Sequence, residues 1–207
     1  MKKNKKILLI SHEASLSGAP ILVLSLLKKL KAERKNYQID VFLLRAGQLY
    51  EDFASLSDGR IIVANYYNQT LPFLIRNLKK FENAFFPKGE SKENQIEKIT
   101  SKLLLKNYNL VYANTAETLI WTLPFYKKNI PTIVAIHELT FGIESSYSKD
   151  FILANISNVS TIIAGSNAVA ENLINKYGAD PSKVKAIHSF VDTELTLEKN
   201  KSTIKKE

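Results

Sequence analysis

Short apolar runs alternate with amphipathic stretches along most of this chain. Ile7–Ile10 is an apolar run that predicts a buried strand, and Tyr37–Leu44, which has no interior Gly or Pro, predicts a second strand. Ala19–Lys35 is apolar on nearly all sides and predicts a helix packed on a sheet, with Pro20 in its first turn. Further strands are predicted at 60–64, 110–113, 132–136, 160–164 and 183–187, and further helices at 49–57, 71–85, 92–106, 116–128, 146–157 and 166–177. The pattern predicts an α/β fold, a Rossmann-like doubly wound parallel sheet of about seven strands with helices on both faces.

The residues that follow the predicted strands are small or polar, whereas the strands themselves are apolar. Because ligands bind at the carboxyl ends of strands in such sheets, these residues are expected to meet at one rim. They are 11–18, 45–47, 65, 114–115, 137–138, 165–166 and 188–189. The first of these loops precedes a helix whose first N–H groups are unpaired, which suits an anionic or polar ligand. The alternative is an ordinary first βα unit with no ligand.

The motifs of several common cofactor sites are absent. Only Gly18 follows the first strand where a dinucleotide fingerprint needs three glycines, and there is no P-loop, so we expect no resident cofactor. His12, His137 and His188 each follow a predicted strand, but no pairing pattern or acidic fourth ligand supports a metal site, and we expect none.

Two strand-end positions carry candidate chemistry. His137 could donate a hydrogen bond or move a proton, and Glu138 beside it could orient a sugar hydroxyl. The alternative is that His137 caps the strand end while Glu138 is solvated. Ser166 is placed to accept from the first N–H groups of the following helix as an N-cap.

Composition narrows the class of protein. The 207 residues are 45% hydrophobic and 24% charged, which is enough for one sizeable core. The net charge of +9 favours an anionic partner, although lysines near both ends supply much of it and a solvated Lys-rich surface is the alternative. Cysteine is absent, which excludes disulfides and thiolate chemistry. No apolar run reaches the length of a membrane span, so a cytoplasmic location is expected, with peripheral contact to the inner membrane face as an option.

A basic and aromatic cluster lies in the predicted helix 71–85 and just beyond it. Such a mixture suits an anionic membrane surface, and single-stranded nucleic acid uses similar chemistry, although we expect no nucleic-acid partner. The alternative is a helix with core Phe side chains and surface lysines. The cluster consists of Phe73, Arg76, Lys79, Lys80, Phe81, Phe85, Phe86 and Lys88.

Four stretches, taken in order, cover nearly the whole chain and resemble one family. They are KILLISHEASLSGAPILVLSLLKKL at the start, LVYANTAET and IPTIVAIHEL in the middle, and STIIAGSNAVAENLINKYGADPSKVKAIHSFVD at the end. Together they resemble the N-terminal, acceptor-side domain of a family 4 GT-B glycosyltransferase, a retaining enzyme that uses a nucleotide sugar. The closing Ser189-Phe190-Val191-Asp192 departs from the family's usual Asn-Gly-Val-Asp.

The resemblance implies a division of the chain and a set of roles. Residues 1–195 would form one Rossmann-like half of a GT-B fold, and 196–207 would be a Lys-rich tail leading to a second domain, in cis or in trans, that holds most of the nucleotide-sugar site. The enzyme would be a hexosyltransferase acting on a glycan or lipid acceptor of the cell envelope or of a polysaccharide, and this chain alone would be inactive. The implied catalytic residues are His137 and Glu138, the donor-binding residues are Ser17, Gly18 and Ala19, and the cleft residues are His12, Glu13, Asn114, Thr115 and Ser166. A non-catalytic binding module for an anionic lipid, a phosphate ligand or a partner protein is the alternative function.

Overall fold

Eight parallel strands form a single sheet with helices on both of its faces. The computed structural model describes residues 5–33, 36–59, 61–64, 81–84 and 92–189. The strands are β1 (Lys5–Ser11), β2 (Tyr37–Leu43), β3 (Ile61–Ala64), β4 (Phe81–Ala84), β5 (Leu110–Asn114), β6 (Thr132–Ile136), β7 (Thr161–Ala164) and β8 (Val184–Ala186). The helices are α1 (Gly18–Glu33), α2 (Tyr50–Leu56), α3 (Lys92–Leu104), α4 (Leu119–Tyr126), α5 (Thr140–Ser146), α6 (Lys149–Asn155) and α7 (Asn167–Tyr177). The predicted doubly wound α/β fold is therefore confirmed.

The order of the strands places a topological switch at β1. In space the order is β4-β3-β2-β1-β5-β6-β7-β8, and every neighbouring pair is parallel. The chain thus builds the sheet outward from β1 in one direction and then returns to its other side at β5. Connections that leave in opposite directions with the same handedness put their helices on opposite faces.

Side chains of successive β1 residues enter two separate cores. Ile7 and Leu9 pack with buried residues of α1 and α2, while Leu8 and Ile10 pack with those of α3, α4, α6 and α7. All four are nearly or fully buried, which explains why the strand is an unbroken apolar run rather than an alternating one. Trp121 of α4 is the largest fully buried side chain of the described residues, and its ring meets Phe42 edge-on at 5.0 Å between centroids.

The prediction of a helix over 71–85 is wrong for residues 81–84, the part of this segment that the structure describes. Residues 81–84 form β4, which pairs in parallel with β3 at the sheet edge and raises the strand number to eight. Pairing with an existing edge satisfies backbone N–H and C=O groups and overrides the local helical pattern. Phe81 is the only cluster residue inside the described ranges. The rest of the cluster, the proposed boundary at 195 and the tail 196–207 lie outside them.

Two further predicted helices are shorter than expected. The segment 116–128 contains a 3₁₀ turn at Ala116–Thr118 before α4, and 146–157 contains α6 followed by a 3₁₀ turn at Ile156–Asn158. Within the ranges that the structure describes, none of the helices combines the length and apolarity needed to cross a bilayer.

Candidate functional site

The loops at the carboxyl ends of the strands meet above the switch between β1 and β5. We call this region the rim and define it as residues 11–19, 45–47, 114–117, 137–138 and 165–166. The connections after β1 and β5 run to opposite faces, so they diverge and leave a crevice between them. Five of the seven predicted strand-end stretches therefore meet at the rim, whereas 188–189 line the apolar groove described below and residue 65 lies outside the described residues.

Asn114 joins three elements across this crevice. The side chain stands at the end of β5 and is 1% exposed. Its amide Nδ2 donates to the Ala19 carbonyl in the first turn of α1 at 2.9 Å, and its Oδ1 lies 3.0 Å from His137 Nε2 at the end of β6. Because Nδ2 is the donor to Ala19, Oδ1 must be the acceptor for His137. The proton of neutral His137 therefore sits on Nε2, and Nδ1 carries the lone pair.

The imidazole of His137 rests on Gly165. A Cβ at Gly165 would lie 2.9 Å from His137 Nδ1, so a side chain there would displace the ring. Nδ1 is buried and has no hydrogen-bond partner among the described residues. Burial lowers the pKa of His137 from 6.5, against the opposing effect of the Glu138 carboxylate. The structure thus holds a neutral, oriented imidazole at the strand end.

Glu138 caps two backbone groups with one carboxylate oxygen. Its Oε2 accepts from the N–H of His137 at 2.9 Å and from the N–H of Ala116 at 3.4 Å. The carboxylate therefore joins the end of β6 to the turn after β5. This contact is more specific than the solvated side chain that was the alternative interpretation.

The loop after β1 is organised by Glu13. Its Oε1 accepts from the hydroxyl groups of Ser15 at 2.5 Å and Ser17 at 3.3 Å, and the two hydroxyl oxygens lie 2.9 Å apart. Burial alone would raise the pKa of Glu13, but the Ser15 hydrogen bond together with His12 and Arg45 outweighs it and holds the pKa below 4.5. These bonds fix the segment that leads into Gly18.

Gly18 opens α1 beside empty space. A Cβ built on it would meet nothing within 4 Å among neighbouring atoms, and the residue is exposed. The first N–H groups of a helix lack intrahelical partners and carry partial positive charge. A ligand could therefore approach this backbone closely, as the small-residue loop predicts.

Arg45 connects the loop after β2 to both neighbouring loops. Its Nη1 and Nη2 donate to the two oxygens of Glu117 at 2.6 and 2.9 Å, a bidentate pair, and its Nε donates to Glu13 Oε2 at 3.3 Å. The three side chains are between 17% and 25% exposed. Gly47 allows this approach, because a Cβ there would lie 2.4 Å from the Ala14 carbonyl oxygen.

His12 is the second buried imidazole of the rim. Its side chain is 13% exposed, its Nε2 lies 3.5 Å from Glu13 Oε1, and its Nδ1 has no partner in the described part of the chain. Burial lowers the pKa of His12 below 6.5, while the carboxylates of Glu13, Glu117 and Glu138 act in the opposite direction. Both histidines of the rim are therefore held towards the neutral form.

Thr115 adopts a backbone conformation that is unusual for its type. Its φ of 81° lies in the region that a β-branched residue rarely enters, and such strain costs on the order of 1–3 kcal/mol. Its N–H donates to the Ala135 carbonyl at 2.7 Å, and its own carbonyl accepts from the Thr118 hydroxyl at 2.8 Å. The strained peptide thus turns the chain sharply after Asn114, so that the N–H of Ala116 reaches Glu138.

The two other candidates from the sequence, Ser166 and His188, lie in different surroundings. Ser166 is the N-cap of α7, accepting from the Val169 N–H at 3.2 Å, as predicted. His188 is exposed and lies beside the apolar groove described next. Within the described ranges, no three His, Cys, Asp or Glu side chains are grouped to hold a metal ion.

An apolar groove of about 800 Å³ runs down the α1 face of the sheet. Leu22, Leu26 and Leu30 of α1 form one wall, and the uncovered side chains of β5 to β7, including Tyr112 and Ile133, form its floor. Asn114 and His137 line the groove at the rim, so it opens into the crevice.

Sequence reasoning missed the importance of Arg45 and Glu117. Arg45 was noted only as a strand-end residue, and Glu117 was not singled out. The place of Glu117 in the first turn after β5 was a weak sign that its side chain belongs to the rim. The two are 72 residues apart, and only the strand order brings them together.

Comparison with known families agrees with this geometry. The model of Glycosyltransferase Family 4 matches residues 16–195. The chain belongs to glycosyltransferase family 4. Among curated protein sequences, none matches the chain.

Solved structures share the fold of this family 4 domain. A crystal structure of Anabaena Alr3699/HepE in complex with UDP and glucose superposes with a TM-score of 0.59 at 18% identity, over 92% of this chain and 46% of the other. The UDP-GlcNAc 2-epimerase from Neisseria meningitidis, bound to UDP-GlcNAc, gives 0.57 at 17% identity, over 97% of this chain and 51% of the other. The chain therefore spans about half the length of these GT-B-type proteins.

Replacing Arg45 by Met should destabilise the family 4 domain by about 1–2 kcal/mol, because two partly buried carboxylates lose their shared cation. The measurement is urea unfolding followed by Trp121 fluorescence. Lys29→Met is the matched control, since the Lys29–Glu33 pair is exposed and should contribute less than about 0.5 kcal/mol. Equal losses in the two variants would contradict the structural role given to Arg45.

The domain should lose stability as the pH falls below 6.5. The folded state lowers the pKa of His12 and His137, so the unfolded chain binds protons first and the favourable contribution present above 6.5 is lost below it. The slope is at most about 1.4 kcal/mol per pH unit for each histidine. Urea unfolding from about pH 7.5 to about pH 5.5 measures it, and the His12→Gln, His137→Gln double variant should flatten this slope. An unchanged slope would show that other groups cause it.

Proposed function

We propose that this chain is the acceptor-side domain of a retaining glycosyltransferase of the hexosyltransferase type. The enzyme would transfer a sugar from a nucleotide sugar to a glycan or lipid acceptor of the cell envelope or of a polysaccharide. The observation that carries the proposal is the Asn114 bridge, which sets the imidazole of His137 beside the open first turn of α1.

Each part of the rim suits one task in such a transfer. The unobstructed backbone at Gly18 and the positive end of α1 favour the diphosphate of the donor. His137 is oriented for contact with the transferred sugar, and its neutral ring adds no charge that would compete for the diphosphate. Glu13 and the serine hydroxyls hold the intervening loop, so little reorganisation is needed when the donor arrives.

A second domain would complete the cleft. Residues 1–195 would form the acceptor-side half, and 196–207 would lead to a partner half that binds most of the donor. Two observations support this proposal: the GT-B-type neighbours are about twice as long as this chain, and the apolar groove lacks a cover among the described residues. We therefore expect the isolated chain to show no sugar transfer.

The proposed reaction takes place in the cytoplasm, with no resident cofactor beyond the nucleotide-sugar substrate. The proposal includes peripheral contact with an anionic membrane through the basic and aromatic cluster. Liposome co-sedimentation with Lys79, Lys80 and Lys88 changed to Glu would test it.

The proposal is tested by Gly18→Val in the enzyme that contains both halves. Folding of this domain should change by less than about 1 kcal/mol, because the new side chain enters open space. Transfer should fall more than about a hundredfold, because the side chain blocks the close approach of the diphosphate. The measurement is nucleoside diphosphate release from a panel of nucleotide sugars, with thermal unfolding in parallel.

Ala32→Val is the control, since it also introduces a valine into α1, at the exposed far end of the helix. It should leave transfer unchanged. Full activity of Gly18→Val would contradict the assignment of this loop to the cleft that binds the donor. A two-domain protein that transfers no sugar at all would favour the non-catalytic binding module.

A further inference from the structure

One oxygen of Glu138 is fixed by the backbone and the other is available. Oε2 accepts both backbone N–H groups, whereas Oε1 has no partner within the described residues and is not among the buried unpartnered atoms there. The side chain also lies against the start of α5, because a Cβ at Gly142 would sit 2.8 Å from Glu138 Cβ. The carboxylate is therefore pre-oriented by its fixed oxygen, and its other oxygen can accept a hydrogen bond from a ligand.

An exposed aromatic ring lies on the same short helix. Phe141 is 89% exposed, whereas Phe42, Phe53 and Phe125 are fully buried. Leu139, between Glu138 and α5, is 53% exposed. Phe141 follows Glu138 by three residues in the chain, so an apolar ring and an oriented carboxylate stand on one short segment. Such a pair matches the two kinds of surface on a sugar, its hydroxyl groups and its C–H faces.

The carboxylate of Glu138 disfavours an anionic ligand directly beside it. Glu13 and Glu117 are paired with the guanidinium of Arg45, whereas the hydrogen bonds of Glu138 within the described residues come from backbone N–H groups. His12 and His137 are held towards the neutral form and do not offset its charge. A phosphate or carboxylate next to Glu138 would meet like charge in a partly desolvated site.

We propose that Glu138 Oε1 and the ring of Phe141 form a subsite for an uncharged, hydroxyl-bearing sugar ring of the acceptor. This inference rests on the proposed function and assigns the two residues to acceptor selection. Glu138 accepts a hydrogen bond from a sugar hydroxyl, and Phe141 packs against the C–H face of the same ring. A phosphorylated sugar is rejected by the carboxylate.

The test is a titration of the ¹⁵N-labelled 207-residue chain, followed by amide chemical shifts. The probes are methyl hexopyranosides and the matching hexose 6-phosphates at concentrations up to tens of millimolar. At least one neutral glycoside should shift the amides of Ala116, His137 and Gly142, and its 6-phosphate should not. No shift with any neutral glycoside, or equal shifts with the phosphates, would overturn the proposal.

Two variants separate the roles of the residues. Glu138→Gln keeps an oxygen for the backbone N–H groups but turns the available atom into a donor, so the apparent affinity should fall about tenfold while the fold is kept. Phe141→Ala should weaken binding by about fivefold or more. Leu105→Ala, which removes an apolar side chain that is 81% exposed after α3, is the control and should bind like the parent.

The results distinguish this inference from the proposed function. Unweakened binding by Glu138→Gln overturns the hydrogen bond, and unweakened binding by Phe141→Ala overturns the aromatic contact and points to a protein surface there. If no glycoside binds but the two-domain enzyme transfers sugar, the subsite is wrong and the proposed function stands. If glycosides bind as expected but the two-domain enzyme transfers no sugar, the proposed function is wrong and the sugar-binding subsite stands.

Discussion

The rim depends on one buried amide, the side chain of Asn114. Its two ends bind groups that the chain order places far apart, the Ala19 carbonyl and the His137 ring. An amide can do this because it carries a donor and an acceptor in fixed geometry, and burial raises the cost of leaving either unpaired. The position of α1 and the tautomer of His137 are therefore set together.

Strand order creates the need for such a bridge. Because β1 has β2 on one side and β5 on the other, the loops that follow β1 and β5 separate, and a crevice is left between them. Polar contacts across the crevice then replace the packing that holds the rest of the sheet. The Arg45–Glu117 pair is a further contact of this kind, and the double contact of Glu138 fixes the β5 and β6 loops to each other on one side of the crevice. Much of the rim is thus pre-formed before a ligand binds.

Local features of the fold could be predicted from the sequence because local chemistry decides them. The apolar run at β1 indicated a strand covered on both faces, Ser166 was recognised as an N-cap, and Gly178 ends α7 in the left-handed conformation where the pattern stopped the helix. The prediction of a helix over 71–85 failed because β4 forms by pairing with the edge of β3, and the local sequence pattern carries no information about that pairing.

The details of the site needed the structure, because they depend on contacts distant in sequence. The spacing of Arg45 and Glu117 gives no sign of a bidentate pair, and a β-branched residue such as Thr115 gives no sign of a positive φ. Asn114 and His137 were predicted at the rim from their places after strands. Their mutual contact, which orients the imidazole, follows only from the register of β5 and β6.

The tautomer of His137 is the most direct test of this account. Long-range ¹H–¹⁵N correlation spectra of the imidazole rings, recorded at about pH 7.5, well above the ordinary histidine pKa, report which nitrogen carries the proton. The account predicts a neutral ring protonated at Nε2, whose proton exchanges slowly with water because Asn114 accepts it, and loss of this protection in Asn114→Leu, which cannot accept the bond. A ring protonated at Nδ1, or unchanged protection of the Nε2 proton in the variant, would contradict the claim that Asn114 organises the rim.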